Sequence, residues 1–431
     1  MQKNSSKTTA NTTGIGMWQG AALLATTLLG TGVFILPQLS IQFAGTGALP
    51  VWLLLTVLAV PVTIVFARLA SVLPHAAGPA HFVAEAFGPV AGRLTGLLFM
   101  LVVPLGASAA MMMTFSFIAP WLPKSAALPV ELFLLLLLWQ LNRRGFQLSA
   151  KLQLGLTLAI VAVVLLMLVA FAKAAPAAHV PLQLWPDSSN FSGLSAALAI
   201  GFWSFLGVEA MTHLAQDFRN PKRHLLPALL IGLILVGLIY LGCSYLLLVL
   251  ATPGENLSMA QGFDRLFGAG GAVLIGILGL ASGLATVNVY TASVARLCQS
   301  FSAQGVLPAA LKPMNAYQMP EHALIFMLSL MALVLLGSAW FGAGLEDLIG
   351  WVNGVFVLIY LGSMAAALRL LSRRYRPLAW LSLVICAAVA CTLGMAMLYA
   401  LFIVLLGLPL LYWQQQWQQR QLKAAVAAQH R

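Results

Sequence analysis

Glu209 and His213 lie four residues apart in an apolar stretch, a spacing that puts both side chains on one helical face. A carboxylate inside such a stretch is expensive to bury and is characteristically functional. It serves there either by bonding backbone groups freed at a break in its own helix or by carrying a proton. With His213 it would form a proton-passing pair, unless His213, near the end of the stretch, is simply solvated. The second chemical feature contains no ionisable group. Leu28-Leu29-Gly30-Thr31-Gly32-Val33-Phe34 sits in the middle of the first long apolar segment, with Pro37 close behind. Glycine weakens a helix and proline removes a backbone donor. Lipid tolerates such a break only where the freed groups line a cavity or are buried in protein. The half-helix that begins there would aim its amides and the positive end of its dipole at an anion such as a carboxylate. The half that ends there leaves carbonyls for an ammonium. One break can therefore read both charged groups of a free amino acid. The structural alternative is a small-residue face for helix packing.

The elements that must position these groups follow from composition. The chain has 431 residues, 61% hydrophobic and 7% charged, which predicts an all-α polytopic membrane protein built of apolar runs of about twenty residues each. Residues 1–13 form a polar tail. The apolar run after them is too long for a signal-peptide core and is read as a retained first span. Apolar segments fall near 14–43, 47–72, 80–119, 126–141, 149–173, 191–215, 225–250, 271–300, 321–341, 347–371, 377–396 and 397–415, about twelve spans. The formal charge of +12 is spread through the loops rather than gathered in one block, which speaks against nucleic acid. With the N-terminus in the cytoplasm, the other side keeps only Lys124, Lys173 and Arg265 of the 22 basic residues. That positive-inside bias puts both termini in the cytoplasm. The four cysteines lack metal-ligand spacing and read as small buried hydrophobes.

A second interrupted span reads Ile200-Gly201-Phe202-Trp203-Ser204-Phe205-Leu206-Gly207-Val208-Glu209. Two spans broken at comparable depth, the first and the sixth, suggest two five-helix halves of opposite topology, with substrate between the breaks. The halves would be residues 14–173 and 191–371. Residues 375–415 would add two further spans outside them, and 416–431 a cytoplasmic tail.

Gly30-Thr31-Gly32-Val33-Phe34 resembles the first-helix signature of the amino acid–polyamine–organocation transporters. Phe202 through Glu209 is similar to their sixth-helix signature, and Phe218-Arg219-Asn220-Pro221-Lys222-Arg223 to the loop that follows it. Ala292 through Arg296 with Gly305-Val306-Leu307-Pro308 fits the same pattern. The resemblance covers roughly residues 14–371 and implies twelve helices with an inverted five-plus-five repeat and broken helices 1 and 6. It implies a substrate carboxylate at the amides of Thr31 and Gly32, beside Gly30. The ammonium would lie on carbonyls near Leu28, Phe202 and Leu206, with Trp203 as a gate over the substrate. The run from Phe205 through Pro227 is most similar to bacterial inner-membrane members that export methionine and branched-chain amino acids.

The side chains around the breaks bear on the substrate. Trp203, Ser204, Phe205 and the methionines Met111 to Met113 are candidate lining, and no Asp or Arg lies beside them in sequence to pair a charged side chain. An apolar or thioether side chain fits, and methionine adapts to branched or linear shapes; ordinary packing explains the methionines equally. The expected function is secondary transport of neutral apolar amino acids: methionine, leucine, isoleucine and valine. Export by alternating access coupled to protons is the first form, and an exchanger or importer of broader neutral specificity the second. A sensor that binds without transport is the alternative of another class. An enzyme would need a nucleophile with its base, paired deep acids or a metal cluster, and the sequence presents none. No cofactor, metal, nucleic acid or obligate protein partner is expected; the partners are small amino acids and the bilayer. For coupling, the proton comes first, with Glu209 and His213 as candidates, and sodium second. Some members of the family carry a lysine deep in the fifth span. Here Lys151 stands only at its start, and 155–164 holds none. Ser282, Thr286, Asn288 and Ser293 could offer oxygens to a small cation or could serve helix packing. His75 and His81 flank the loop after the second span and are read as solvated.

Overall fold

The computed structural model describes residues 14–145, 150–174, 191–252 and 254–429. The polar N-terminal tail expected over 1–13 lies outside them, as do residues 175–190. The described chain is helical: α1 (Met17–Leu29), α2 (Leu36–Ala44), α3 (Ala48–Val72), α4 (Pro79–Phe87), α5 (Pro89–Ser116), α6 (Ala127–Arg143), α7 (Ala150–Ala174), α8 (Phe191–Trp203), α9 (Ala210–His213), α10 (Pro221–Leu250), α11 (Met259–Phe267), α12 (Gly271–Ala303), α13 (Glu321–Phe341), α14 (Leu345–Leu370), α15 (Arg376–Leu393) and α16 (Met397–Gln429). Among the described residues, nine helical stretches are long and apolar enough to cross a membrane. Two of these, Leu36–Val72 and Arg373–Trp417, each run through a short 3₁₀ turn between two helices.

Both expected interruptions are present. The first apolar segment ends as a helix at Leu29 and resumes at Leu36; the sixth ends at Trp203 and resumes as a single turn at Ala210. Gly30 takes φ +30° and Gly207 takes φ +127°, backbone regions that a Cβ disfavours, so each glycine permits its break.

Some boundaries differ from the sequence reading. The segment expected over 80–119 is two helices, because residues before a proline avoid helical geometry and Pro89 starts α5 afresh. The amphipathic α11 has no counterpart among the expected spans. Ser258 and Gln261 cap it reciprocally, a polar signal that hydropathy passes over. The expected tail over 416–431 continues α16 as helix to Gln429. Before α11, the Thr252 hydrogen bonds to Glu255, then Arg265 beside it, hold the Glu255 carboxyl down at about 2.

Packing is organised around the breaks. The helix α10 lies against both α1 and α3, α2 lies against α8, and α5 packs on α12 and α14. One large apolar core joins these helices. A second core joins α6 and α13 to one side of α5 and α12. At one end of the bundle the chain is clipped to itself. Ile15 and the loop after α9 exchange backbone bonds, Ile15 N to Asp217 O at 2.8 Å and Arg219 N to Ile15 O at 3.1 Å, and Arg219 Nε donates to Gly14 O at 2.7 Å. Arg143 pairs with Glu321, and Arg369 donates to Ala86 O. Basic residues from distant loops thus anchor other loops at their own end of the bundle.

Candidate functional site

The two interruptions meet. A Cβ added at Gly207 would stand 2.9 Å from Thr27 Cγ2 and 3.1 Å from Leu28 Cδ2, so the sixth-segment break lies on the last turn of α1. In the first break the helical ladder fails at a defined place. Val33 N reaches Leu29 O at 3.2 Å and Leu36 N reaches Gly32 O at 2.8 Å, while the amides of Thr31 and Gly32 donate no hydrogen bond among the described residues. Buried donors are ordinarily paired. Thr31 is only 4% exposed, so these two adjacent amides are buried donors without a partner among the described residues, chemically suited to an anion. The Thr31 hydroxyl donates toward Met113 Sδ at 3.5 Å, so of the three candidate methionines Met113 is the one at the break.

The freed carbonyls have unequal fates. Leu28 O accepts the Tyr240 hydroxyl at 3.4 Å, and Gly30 O accepts the Ser282 hydroxyl at 2.9 Å. Phe202 O accepts Phe205 N and Trp203 O accepts Leu206 N within the turn. Leu206 O accepts none among the described residues. Tyr240 is a site residue that the sequence reading does not name. Its ring stacks on Trp52 at 4.4 Å, Trp52 Nε1 donates to Ser40 Oγ at 2.9 Å, and Ser40 Oγ donates to Pro37 O at 2.8 Å. This chain of contacts ties α2 back to the end of α1 through α3 and α10.

Trp203 is half-buried and reaches over α5, its ring 3.7 Å from where a Gly106 Cβ would stand, close to Val352 of α14. Phe202 and Phe205 point elsewhere. With Leu55, Val62, Tyr360 and Ile385 they line a small apolar cavity of about 30 Å³ toward α3, α14 and α15. Leu206 is buried. Of the candidate oxygen ligands on α12, Ser282 and Thr286 reach Gly30. Asn288 instead accepts from Asn142 of α6 at 2.7 Å, and Ser293 is exposed.

Glu209 is 2% exposed and sits inside its own break. Its Oε2 accepts the Gly207 amide at 2.9 Å and a short hydrogen bond from the Tyr360 hydroxyl of α14. His213 is not its partner. The His213 Nδ1 lies 2.7 Å from Ala76 O, and its ring meets Phe99 edge-on, so it anchors the loop between α3 and α4. His75 and His81 stack at 4.1 Å in that same region; burial first, then the His75 charge, pushes the His81 imidazole down. A second buried acid escapes the sequence reading. Glu131, 6% exposed on α6, opens the stripe Leu134, Leu135, Leu138 and Asn142 that packs into the second core. Among the described residues no group of three His, Cys, Asp or Glu could hold a metal.

The sequence profile of the amino acid permeases matches residues 15–415. The chain belongs to the amino acid permease family. It is 38% identical to the L-methionine/branched-chain amino acid exporter YjeH of Escherichia coli (strain K12), over 92% of this chain and 95% of that one. It is 28% identical to the amino acid permease YecA of Bacillus subtilis (strain 168), over 88% and 91%. Among solved structures, a manganese transporter from Eremococcus coleocola superposes with a TM-score of 0.55 at 14% identity, covering 92% of this chain and 93% of that one. At that identity the likeness concerns the fold alone.

Proposed function

We propose that this permease exports methionine, leucine, isoleucine and valine from the bacterial cytoplasm across the inner membrane by alternating access coupled to protons. The observation that carries the proposal is the pair of unpaired amides, Thr31 and Gly32, in a break that lies against a second break. The carboxylate is held by those amides and by the Thr31 hydroxyl. The ammonium lies on the carbonyls of Leu28, Phe202 and Leu206, of which Leu206 O is already without a donor. Trp203 closes over the substrate from the sixth segment against α5. Met113 and the apolar walls accept a side chain without charge, and the 38% identity with an exporter of that substrate class supports both specificity and direction.

The chain crosses the membrane twelve times with both termini in the cytoplasm. The nine long stretches, two of them double, and the short apolar pieces Met17–Leu29 and Ser192–Trp203 supply the helices for that count, with α1 and α2 together forming the interrupted first span. The equivalent breaks in the first and sixth spans support an inverted repeat of residues 14–173 and 191–371. Glu209 takes the bracing role in this scheme, because both of its hydrogen bonds hold the sixth-segment turn.

Equilibrium binding of labelled leucine to the purified chain tests the site. Unlabelled methionine, isoleucine and valine should displace it, and arginine and glutamate should not. Thr31→Val with Gly32→Leu should weaken binding by about 100-fold, since the first removes the hydroxyl and the leucine side chain covers the two amides. Unchanged affinity in that variant overturns the assignment.

A further inference from the structure

Away from the breaks, at the end of the bundle that carries most of the basic residues, a cavity of about 520 Å³ opens between the last turn of α3, the first turn of α10 and the end of α14. Arg68, Ser71, Val72, Lys222, Ser372 and Tyr375 line it, and no acid does. The ion pairs among the described residues are His81–Glu85, Arg143–Glu321 and Arg265–Glu255, so neither Arg68 nor Lys222 has a counter-charge there. Arg68 Nε is buried with no hydrogen-bond partner. Its guanidinium stacks over the Tyr375 ring at 5.1 Å, which engages the flat face and leaves the N–H edge for an acceptor. Ser71 donates to Ala67 O at 2.6 Å and to Pro221 O at 3.3 Å, fixing α3 against the start of α10 and so the spacing of the two cations. Two cations held beside one cavity, one with an unused buried donor, need an anion.

We propose that this cavity binds the phosphate of an anionic phospholipid headgroup. Arg68 takes the phosphate through its N–H edge, Lys222 adds a point charge, and the hydroxyls of Ser372 and Tyr375 supply further donors. The surroundings favour a lipid over a soluble phosphate. Val72 is 57% exposed beside the cavity and offers acyl chains an apolar wall. Arg373, Arg374 and Arg376 are exposed at the rim, and Trp380, also exposed, follows one turn into α15. Clustered cations followed by an aromatic at the start of a membrane helix mark headgroup depth. Bound there, the lipid would join the ends of α3, α10 and α14.

The test is the unfolding temperature of the purified, delipidated full chain in neutral detergent. The additions are phosphatidylglycerol, phosphatidylcholine or inorganic phosphate. Phosphatidylglycerol should raise the midpoint by about 3 °C or more above phosphatidylcholine. R68Q/K222Q and K222Q alone should lose that rise, while K312Q, which removes an exposed charge elsewhere, should keep it. K222Q lies at an exposed position, so it carries the test if the double variant fails to fold. Equal midpoints with the two lipids, a rise that survives in K222Q, or an equal loss in K312Q would each overturn the site. An equal rise with inorganic phosphate would overturn the lipid as its occupant.

Discussion

Glu209 shows how a single buried acid can serve as structure. Its carboxylate bonds the amide of Gly207, two residues before it, and the hydroxyl of Tyr360 on α14. A glutamine can accept both of those bonds; an alanine leaves two buried donors unpaired at about 1–3 kcal/mol each. Glu209→Gln is therefore expected to keep leucine flux within about threefold of the parent, with its pH dependence intact, whereas Glu209→Ala loses folded protein. Flux and expression measured across pH for both variants check this, and loss of the pH dependence in Glu209→Gln would return the proton-carrier role to this residue. The position of Glu209 was legible in the sequence because a charge inside an apolar run stands out. Its partner was not, because Tyr360 lies 151 residues away. The same holds for Thr31 with Met113 and for Leu28 with Tyr240, separated by 82 and 212 residues. Tyrosines within apolar runs give no local signal of what their hydroxyls reach.

At the scale of the element, the breaks rest on glycines that local sequence does announce. Gly207 combines a φ of +127° with direct contact on the end of α1. Gly207→Ala should cost about 1–3 kcal/mol in backbone strain, with the close approach to Thr27 adding to it. The expected outcome is a lower unfolding midpoint together with lost transport. A variant that unfolds like the parent and transports normally would show that the sixth-segment turn does not need this geometry. Periodicity and hydropathy placed the long helices, because runs this apolar have no other solution in lipid. They misjudged the chain where helices end without a charge or polar loop. The residue before Pro89 splits the third segment, and a polar capping pair builds α11. The bracing of the first break by Ser40, Trp52 and Tyr240 was also invisible, because it depends on α3 lying beside α10.

For the whole molecule, the charge pattern and the contacts tell one story. Segments far apart in sequence are clipped to one another at the basic end: Gly14 and Ile15 to the loop after α9, and α6 to the start of α13. These contacts fasten one end of the bundle, and the two breaks meet within it at Gly207 and the last turn of α1. The proposed export couples the outward movement of neutral apolar amino acids to protons. Uptake of labelled leucine and methionine into inside-out vesicles from expressing cells tests it most directly, with arginine and glutamate as controls. Uptake of the apolar pair alone is expected, rising when the lumen is made acidic and absent from vesicles that lack the chain. Uptake that requires amino acid preloaded in the lumen, or that ignores an imposed proton gradient, would contradict it.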